Sequence, residues 1–269
     1  MKISIITVVY NGEKTIRQAL RSVISQSYSD IEYIVIDGKS TDNTIKIINE
    51  YRDKIDIFIS EKDNGLYDAL NKGIRLSTGD VIGILHADDR YTNRYAIEEV
   101  AKAFKSSNSD SVYSDLIYIK NMSDKILRYW KSGEFNIKKL KFGWMPPHPV
   151  FFIKTDIIRR YSLIYDTSLN ISGDYDFILK LLGKYKITTH YIPKVLYKMN
   201  IGGISNKSIL NIIQKSKEDY ICIKRNKIGG LFTLFCKNII KIPQFISHRK
   251  IPKLGKLKFK RHYPYLQIG

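Results

Sequence analysis

The amino-terminal segment reads Ile3-Ser4-Ile5-Ile6-Thr7-Val8-Val9-Tyr10-Asn11-Gly12. A short apolar, β-branched run that ends in turn residues is typical of a strand buried on both faces of a parallel sheet. Three further runs of this kind follow at residues 31–37, 55–60 and 80–85. The segment therefore predicts the first strand of a parallel sheet.

Helical patterns separate these strands. Apolar residues recur at helical spacing from Ile16 to Ile24 and again from Leu66 to Ile74, and a shorter stripe follows the N-cap candidates at residues 40–42. The alternation predicts an α/β fold with helices on both faces of the sheet, and ligands in such folds bind beyond the carboxyl ends of the strands. We expect a catalytic domain over residues 1–204, with a nucleotide-binding half (1–90) and an acceptor-binding half (91–204), and a basic helical segment over 205–269.

The charge of the chain is unevenly distributed. The 269 residues carry a formal net charge of +19, and residues 201–269 hold 15 Lys and Arg against 2 acids. The first 200 residues are nearly balanced and concentrate acids at strand ends, which argues against a nucleic-acid partner.

Cys222 and Cys236 have no paired Cys or His spacing, so we expect neither a disulfide nor a zinc site. We therefore expect a reducing, cytoplasmic setting.

Polar side chains follow each predicted strand at its carboxyl end. They are Asn11, Asp37, Asp63, His86, Asp88 and Asp89. Neighbouring carboxylates repel each other unless a cation neutralises them, and Mg²⁺ or Mn²⁺ needs only one or two protein carboxylates when phosphate oxygens complete its shell. No glycine-rich phosphate loop follows the first strand. An aspartate pair can equally form a turn or cap a helix, a reading that the other acids of the same edge disfavour.

Five ordered motifs together resemble family 2 glycosyltransferases with the GT-A fold. The matching stretches are residues 5–12, residues 35–44, residues 63–73, residues 79–80 with 86–89, and residues 173–176. The resemblance covers about residues 1–205. It implies an inverting transfer of a sugar from a nucleotide diphosphate, and a coincidence of several motifs is far more specific than any one of them.

The resemblance also implies roles for single residues. Thr7, Val9 and Asn11 would line the base and ribose pocket, Asp37 would accept from the uracil ring, Asp88 would contact ribose or phosphate, and Asp89, with Asp88, would bind the metal. The expected donor-binding set is completed by Glu13, Asp63, Gly65, Lys72 and His86. His86 stands where the family often has an aspartate, which leaves the metal preference open.

Inverting transfer also requires a base that takes the proton of the acceptor hydroxyl. The resemblance assigns this role to Asp174, with Asp176 as the nearby alternative. His148 lies in a proline-rich stretch and either approaches the acceptor or only shapes its loop. Residues 202–205 either close over the diphosphate or form a simple turn.

The carboxyl-terminal region is both apolar and basic. Residues 228–246 carry large apolar side chains among lysines, and residues 220–269 contain no acid. This pattern favours docking on an anionic membrane face, although a helix packed on the domain would also fit. We therefore expect a peripheral enzyme at the inner face of the cell membrane.

The sequence as a whole predicts transfer from a UDP-sugar to a saccharide, carried on undecaprenyl diphosphate, in O-antigen, capsule or related lipopolysaccharide or polysaccharide assembly. Two alternatives remain open. One is a sugar-phosphate nucleotidyltransferase, and the other is a nucleotide-binding, membrane-associated protein with a decayed site.

Overall fold

The fold is described from a computed structural model that covers residues 1–120, 125–201 and 209–239. The loop expected at 202–205 and the basic tail from 240 onward lie outside the described residues. The strands are β1 (Ile3–Val9), β2 (Ile31–Asp37), β3 (Ile57–Ser60), β4 (Val81–Ile84), β5 (Arg90–Tyr91), β6 (Ser111–Ile119), β7 (Ile126–Trp130), β8 (Phe151–Lys154) and β9 (Thr189–Asn200). The helices are α1 (Ile16–Ile24), α2 (Thr44–Asn49), α3 (Leu66–Leu76), α4 (Ala96–Ser107), α5 (Ile137–Leu140), α6 (Thr155–Arg160), α7 (Gly173–Leu179), α8 (Ile209–Arg225) and α9 (Leu231–Ile239).

The first four strands form the parallel half of one sheet, in the order β3-β2-β1-β4. The predicted bounds of β1 and β2 are confirmed, whereas β3 begins two residues later than predicted. Asp56 already contacts β2, because its amide donates to the Tyr33 carbonyl at 3.0 Å. Its carboxylate accepts from the Tyr33 amide at 2.7 Å and so takes the place of a backbone carbonyl in the regular ladder.

The second half of the sheet contains antiparallel strands. β8 runs antiparallel to β4, and β6, β9 and β5 extend the sheet beyond it, while β7 pairs antiparallel with β6. This mixed sheet belongs to the α/β fold that the alternation predicts, with antiparallel strands in its second half that periodicity alone does not reveal.

Side chains of β1 alternate between two cores because the side-chain period of a strand is two. Ile6 and Val8 pack in the core that contains α3 and α7, and Ile5 and Val9 pack in the core that contains α1 and α4. Helices thus cover both faces, as the near-continuous apolar pattern of the strand requires.

The two carboxyl-terminal helices that the structure describes pack on the rest of the chain. Cys222 and Ile223 of α8 are fully buried in the core that holds α7, and Lys237 of α9 lies against Gly143. The division at residue 204 stays a prediction, and so does membrane docking of residues 228–246. Within residues 1–120, 125–201 and 209–239, no helix is long and apolar enough to cross a membrane.

Candidate active site

Strand register brings the polar strand ends to one edge of the sheet. Val9 pairs with Asp37, and Asp37 pairs with Ser60. On the other side of β1, the Leu85 amide donates to the Ile6 carbonyl at 2.9 Å, which directs the segment after β4 to the same edge. The loops after β1, β2, β3 and β4 therefore surround one crevice.

The loops after β1 and β2 are joined by hydrogen bonds. The Asn11 amide donates to Ser40 Oγ at 2.8 Å, and Asn11 Oδ1 accepts from the Thr41 amide at 2.8 Å. Glu13 accepts from the amide and the side-chain nitrogen of Asn43 at 3.1 and 2.9 Å. Asn11 has a positive φ of 50°, a conformation that asparagine tolerates better than most residues. Asn11 and Glu13 thus shape the crevice wall in this structure.

Thr7 and Val9 point into the core. Thr7 Oγ1 lies 3.1 Å from Tyr33 Oη and is fully buried, and Val9 packs beneath Gly12. In this structure their side chains support the floor of the crevice, and only their backbone borders it.

Asp37 is buried at the centre of the crevice edge. Its carboxylate accepts from the Ser40 amide at 3.0 Å and from Ser60 Oγ at 2.7 Å. Asp63 lies against the next residue, Gly38, since a Cβ on that glycine would come within 2.5 Å of Asp63 Oδ2. Asp63 in turn accepts from the Gly65 amide at 3.0 Å, and Gly65 adopts a φ of 99° that favours glycine.

Lys72 is engaged by acidic neighbours. Its Nζ lies 2.9 Å from Glu61 Oε1 and 3.7 Å from Asp68 Oδ2, and it donates to the Lys62 carbonyl at 3.1 Å. These contacts raise its pKa, chiefly through Glu61. The lysine therefore stays charged beside the Asp63 loop.

Asp88 and Asp89 have different surroundings. Asp89 is buried, and its carboxylate accepts from Tyr197 Oη at 3.0 Å and from the Asn200 amide at 2.9 Å, so it faces β9. Burial, and then repulsion from Asp88, raises the pKa of Asp89 well above its usual range. Asp88 is half-buried, and within the described part of the chain its carboxylate has no hydrogen-bond or ion-pair partner. Of the two predicted metal ligands, Asp88 is the one whose carboxylate remains available.

Two histidines lie next to the acids. The rings of His86 and His148 are 6.3 Å apart, and His148 Nε2 is 2.6 Å from Tyr165 Oη. Burial lowers the pKa of His148 to about 4, and the field of Asp174 only partly opposes this. Burial also lowers the pKa of His86, while Asp88 and Asp174 act in the opposite direction. Both rings are therefore neutral near pH 7.

The structure separates the two candidate bases. Asp176 is buried and forms ion pairs with Arg225 at 2.6 Å and Lys180 at 2.9 Å, and it accepts from Asn226 at 2.8 Å. Asp174 lies at the start of α7 and is half-buried. One carboxylate oxygen accepts from the Tyr175 amide at 2.7 Å, and the described residues offer the other no partner. Asp174 is thus the carboxylate that can accept a proton.

Sequence reasoning missed the tyrosines that hold these acids. Tyr67 donates to the Ile171 carbonyl at 2.8 Å and accepts from the Gly173 and Asp174 amides at 2.9 and 3.3 Å. Tyr197, besides holding Asp89, accepts from the His86 amide at 3.2 Å. Tyr67 lies inside a quoted motif, but nothing in the sequence shows that a backbone carbonyl 104 residues away is its partner.

The side chains that could bind a metal fit a cation that arrives together with phosphate better than they fit a preformed metal site. Across residues 1–120, 125–201 and 209–239, no three His, Cys, Asp or Glu side chains converge as metal ligands. One available carboxylate at Asp88, with the buried Asp89 behind it, suits a hard divalent ion whose other ligands are phosphate oxygens and water.

Comparisons with known proteins agree with this geometry. The chain is 31% identical over 212 residues to a PGL/p-HBAD biosynthesis glycosyltransferase from Mycobacterium bovis, covering 76% of this chain and 78% of that protein. The structure of S. aureus TarS 1-349 in complex with UDP-GlcNAc superposes with a TM-score of 0.68 at 18% identity, over 84% of this chain and 65% of that one, so this chain spans less than two thirds of that protein. The mannosyltransferase PcManGT from Pyrobaculum calidifontis, in complex with GDP-Man and Mn²⁺, gives 0.64 at 16% identity, over 91% and 73%.

The structural neighbours share the GT-A fold with this chain. The family described as glycosyl transferase family 2 matches residues 4–166, which contain the crevice-lining loops after β1 to β4. Together with the M. bovis relative, this match establishes that the chain belongs to glycosyltransferase family 2.

Proposed function

We propose that this chain transfers a sugar, with inversion, from a UDP-sugar to a lipid-linked saccharide. The observation that carries the proposal is a pair of available carboxylates, Asp88 and Asp174, that both act electrostatically on the neutral His86 at the crevice. Asp88 can bind the cation that accompanies the donor diphosphate, and Asp174 can accept the proton of the acceptor hydroxyl.

The donor lies in the crevice formed by the loops after β1 to β4. Asp63 packs against Gly38, the residue after Asp37, and the two carboxylates accept from donor N–H and hydroxyl groups. Asn11 and Glu13 hold the wall, and Thr7 and Val9 hold the floor. TarS binds UDP-GlcNAc and PcManGT binds GDP-Man, which supports a nucleotide sugar. Asp37 favours UDP because a carboxylate pairs with the uracil N–H.

Asp88 holds a divalent cation, Mn²⁺ or Mg²⁺, together with the donor phosphates. When bound, the cation neutralises the charge that develops on the departing diphosphate. PcManGT carries Mn²⁺, which supports this choice. Asp89 fixes the segment through Tyr197 and Asn200, and positive charge in front of Asp88 relieves the repulsion between the two acids.

Asp174 is the base for the acceptor. It accepts the proton of the acceptor hydroxyl as that oxygen bonds to the anomeric carbon, while the bond from that carbon to the diphosphate oxygen breaks. Hydrogen bonds from two sides fix the main chain around Asp174, which keeps the carboxylate aimed at the crevice. His148, next to Asp174 and held by Tyr165, borders the acceptor side as a neutral ring.

The acceptor is carried by an anionic membrane. Support comes from an exposed apolar surface on α8 and α9, where the exposed fractions are 76% for Leu210, 70% for Leu231, 64% for Phe232 and 63% for Phe235. Phe142 of the catalytic part meets Phe232 edge to face at 6.0 Å and extends this surface. Residues 220–269 contain lysines and arginines but no acid, so this region carries the positive charge that anionic lipid attracts.

Product analysis tests the transfer. From one donor in a panel of nucleotide sugars, we expect UDP and a glycoside whose anomeric configuration is opposite to that of the donor. We also expect EDTA to abolish turnover until Mn²⁺ or Mg²⁺ is restored. Release of pyrophosphate instead of UDP would identify the nucleotidyltransferase alternative. No turnover with any donor, combined with UDP binding, would favour the decayed protein, and full activity in EDTA would remove the metal role of Asp88.

A further inference from the structure

We propose that Glu218, on helix α8, is a positioning residue for the catalytic base Asp174. This inference rests on the proposed role of Asp174. Glu218 lies 44 positions further along the chain, in the segment beyond the family match, which ends at residue 166. It does not touch the crevice, and its effect passes through the backbone that precedes α7.

The contact between Glu218 and this backbone is direct. Glu218 Oε2 accepts from the Ile171 and Ser172 amides, each at 2.8 Å, and Oε1 accepts from the Asn170 amide at 3.2 Å. Three consecutive amides thus converge on one carboxylate that is only 7% exposed. Hydrogen bonds to a charged acceptor are about twice as strong as neutral ones, so the position of this segment depends on the charge of Glu218.

Helix α8 also contacts the residues that lie before and after Asp174 in the chain. Asp219 accepts from Ser172 Oγ at 2.7 Å, and Arg225 binds Asp176 on the following turn. On the opposite side, Tyr67 binds the Gly173 and Asp174 amides, and a Cβ on Gly173 would lie 2.7 Å from the Tyr67 ring. Asp174 is therefore set between α3 and α8, with Glu218 contributing the charged contact.

Asp219 has a separate, structural reason to be buried. Burial opposes its ionisation, but Lys237 at 2.6 Å and Lys215 at 2.9 Å lower its pKa to about 2. Lys237 also lies 3.2 Å from the centre of the Tyr175 ring. These contacts attach α9 and α8 to α7, so Glu218 acts from a helix that is already fixed.

The test is Glu218→Gln in the full chain, which keeps the side-chain shape and removes the charge. We expect kcat to fall on the order of 10- to 100-fold, because small displacements of a catalytic group cost this much, while the KM for the donor changes less than about threefold. Turnover is expressed per UDP-binding site, counted by calorimetry, so that unfolded protein does not count as lost activity.

Glu50→Gln is the matched control, since Glu50 is a surface carboxylate paired with Arg17 at the far end of α2. Its kcat should equal that of the wild type. Should Glu218→Gln keep wild-type kcat per UDP-binding site, or should donor KM rise in proportion as kcat falls, the positioning role would be wrong. An inactive wild type would instead reject the proposed function, and Glu218→Asp, with its shorter reach, should give an intermediate kcat.

Discussion

At the residue scale, two aspartates two residues apart on α7 have different surroundings. Asp174 keeps a carboxylate oxygen available at the crevice, whereas Asp176 is buried and bound by two cations and an amide. The same short motif therefore contains one group that suits chemistry and one that suits stability. Neutralising Asp176 would therefore remove a set of ion pairs, whereas neutralising Asp174 would not.

We predict that Asp174→Asn lowers kcat by roughly 10²–10⁴ and leaves UDP affinity unchanged, because the amide keeps the shape but cannot accept the proton. Asp176→Asn should instead lower the free energy of unfolding by about 1–3 kcal/mol, since it removes the buried partner of Lys180 and Arg225, although Arg225 keeps its ion pair with Asp166. Steady-state kinetics and thermal unfolding of both variants separate these effects. A near-normal rate for Asp174→Asn would exclude it as the base.

At the element scale, the contact between α3 and β1 depends on a glycine inside the helix. Gly73 is buried on α3, and a Cβ there would come within 2.4 Å of Ile6 Cγ2 on β1. Ile6 is fully buried and belongs to the core that includes α7, so it has little room to move. The glycine allows α3 to approach the sheet closely, and α3 carries Tyr67 and Lys72 at the crevice.

We predict that Gly73→Ala lowers the free energy of unfolding by about 1–3 kcal/mol through overpacking against Ile6. Helix propensity alone predicts the opposite, since alanine is favoured over glycine by about 1 kcal/mol in a helix interior. Chemical denaturation decides the sign. Arg75→Ala, an exposed position of the same helix, should change stability by less than about 0.5 kcal/mol; a stabilised Gly73→Ala would contradict the close-packing argument.

At the scale of the whole molecule, α8 buries charged side chains beside the apolar Cys222 and Ile223, and it leaves several large apolar side chains exposed. Lys215, Glu218 and Asp219 are directed at α7 and the loop before it, whereas Leu210, Ile213 and Ile221 are about half exposed or more. A solvent-facing helix normally keeps its apolar side chains on the inner face. The exposed apolar side chains of α8, together with the exposed phenylalanines of α9, support the proposed contact with a membrane.

We predict that the protein sediments with vesicles containing anionic lipid and binds neutral vesicles more weakly. Replacing both Phe232 and Phe235 with serine should weaken binding by at least tenfold, because each buried apolar side chain contributes about 1.5–3 kcal/mol. Added salt should weaken binding further by screening the lysines. Tyr95→Ser, an exposed aromatic at the start of α4, is the control. Unchanged sedimentation of the Phe232/Phe235 variant would overturn the docking surface.

The sequence by itself determined the parallel half of the sheet, the crevice edge and the family. β1 and β2 were predicted residue for residue because buried parallel strands leave a local apolar signature, and the strand-end acids follow from it. The family motifs, all short and contiguous, pointed to Asp88, Asp89 and Asp174 without help from the fold, with Asp89 as the expected principal metal ligand.

Only the tertiary structure decided which of the adjacent acids face the crevice. Asp88 and Asp89, like Asp174 and Asp176, are alike in composition and differ in what packs against them. Tyr197 and Asn200 lie 108 and 111 residues from Asp89, and Arg225 lies 49 residues from Asp176. A local pattern reports strand and helix because these repeat over a few residues, whereas the availability of a carboxylate depends on partners brought from distant parts of the chain.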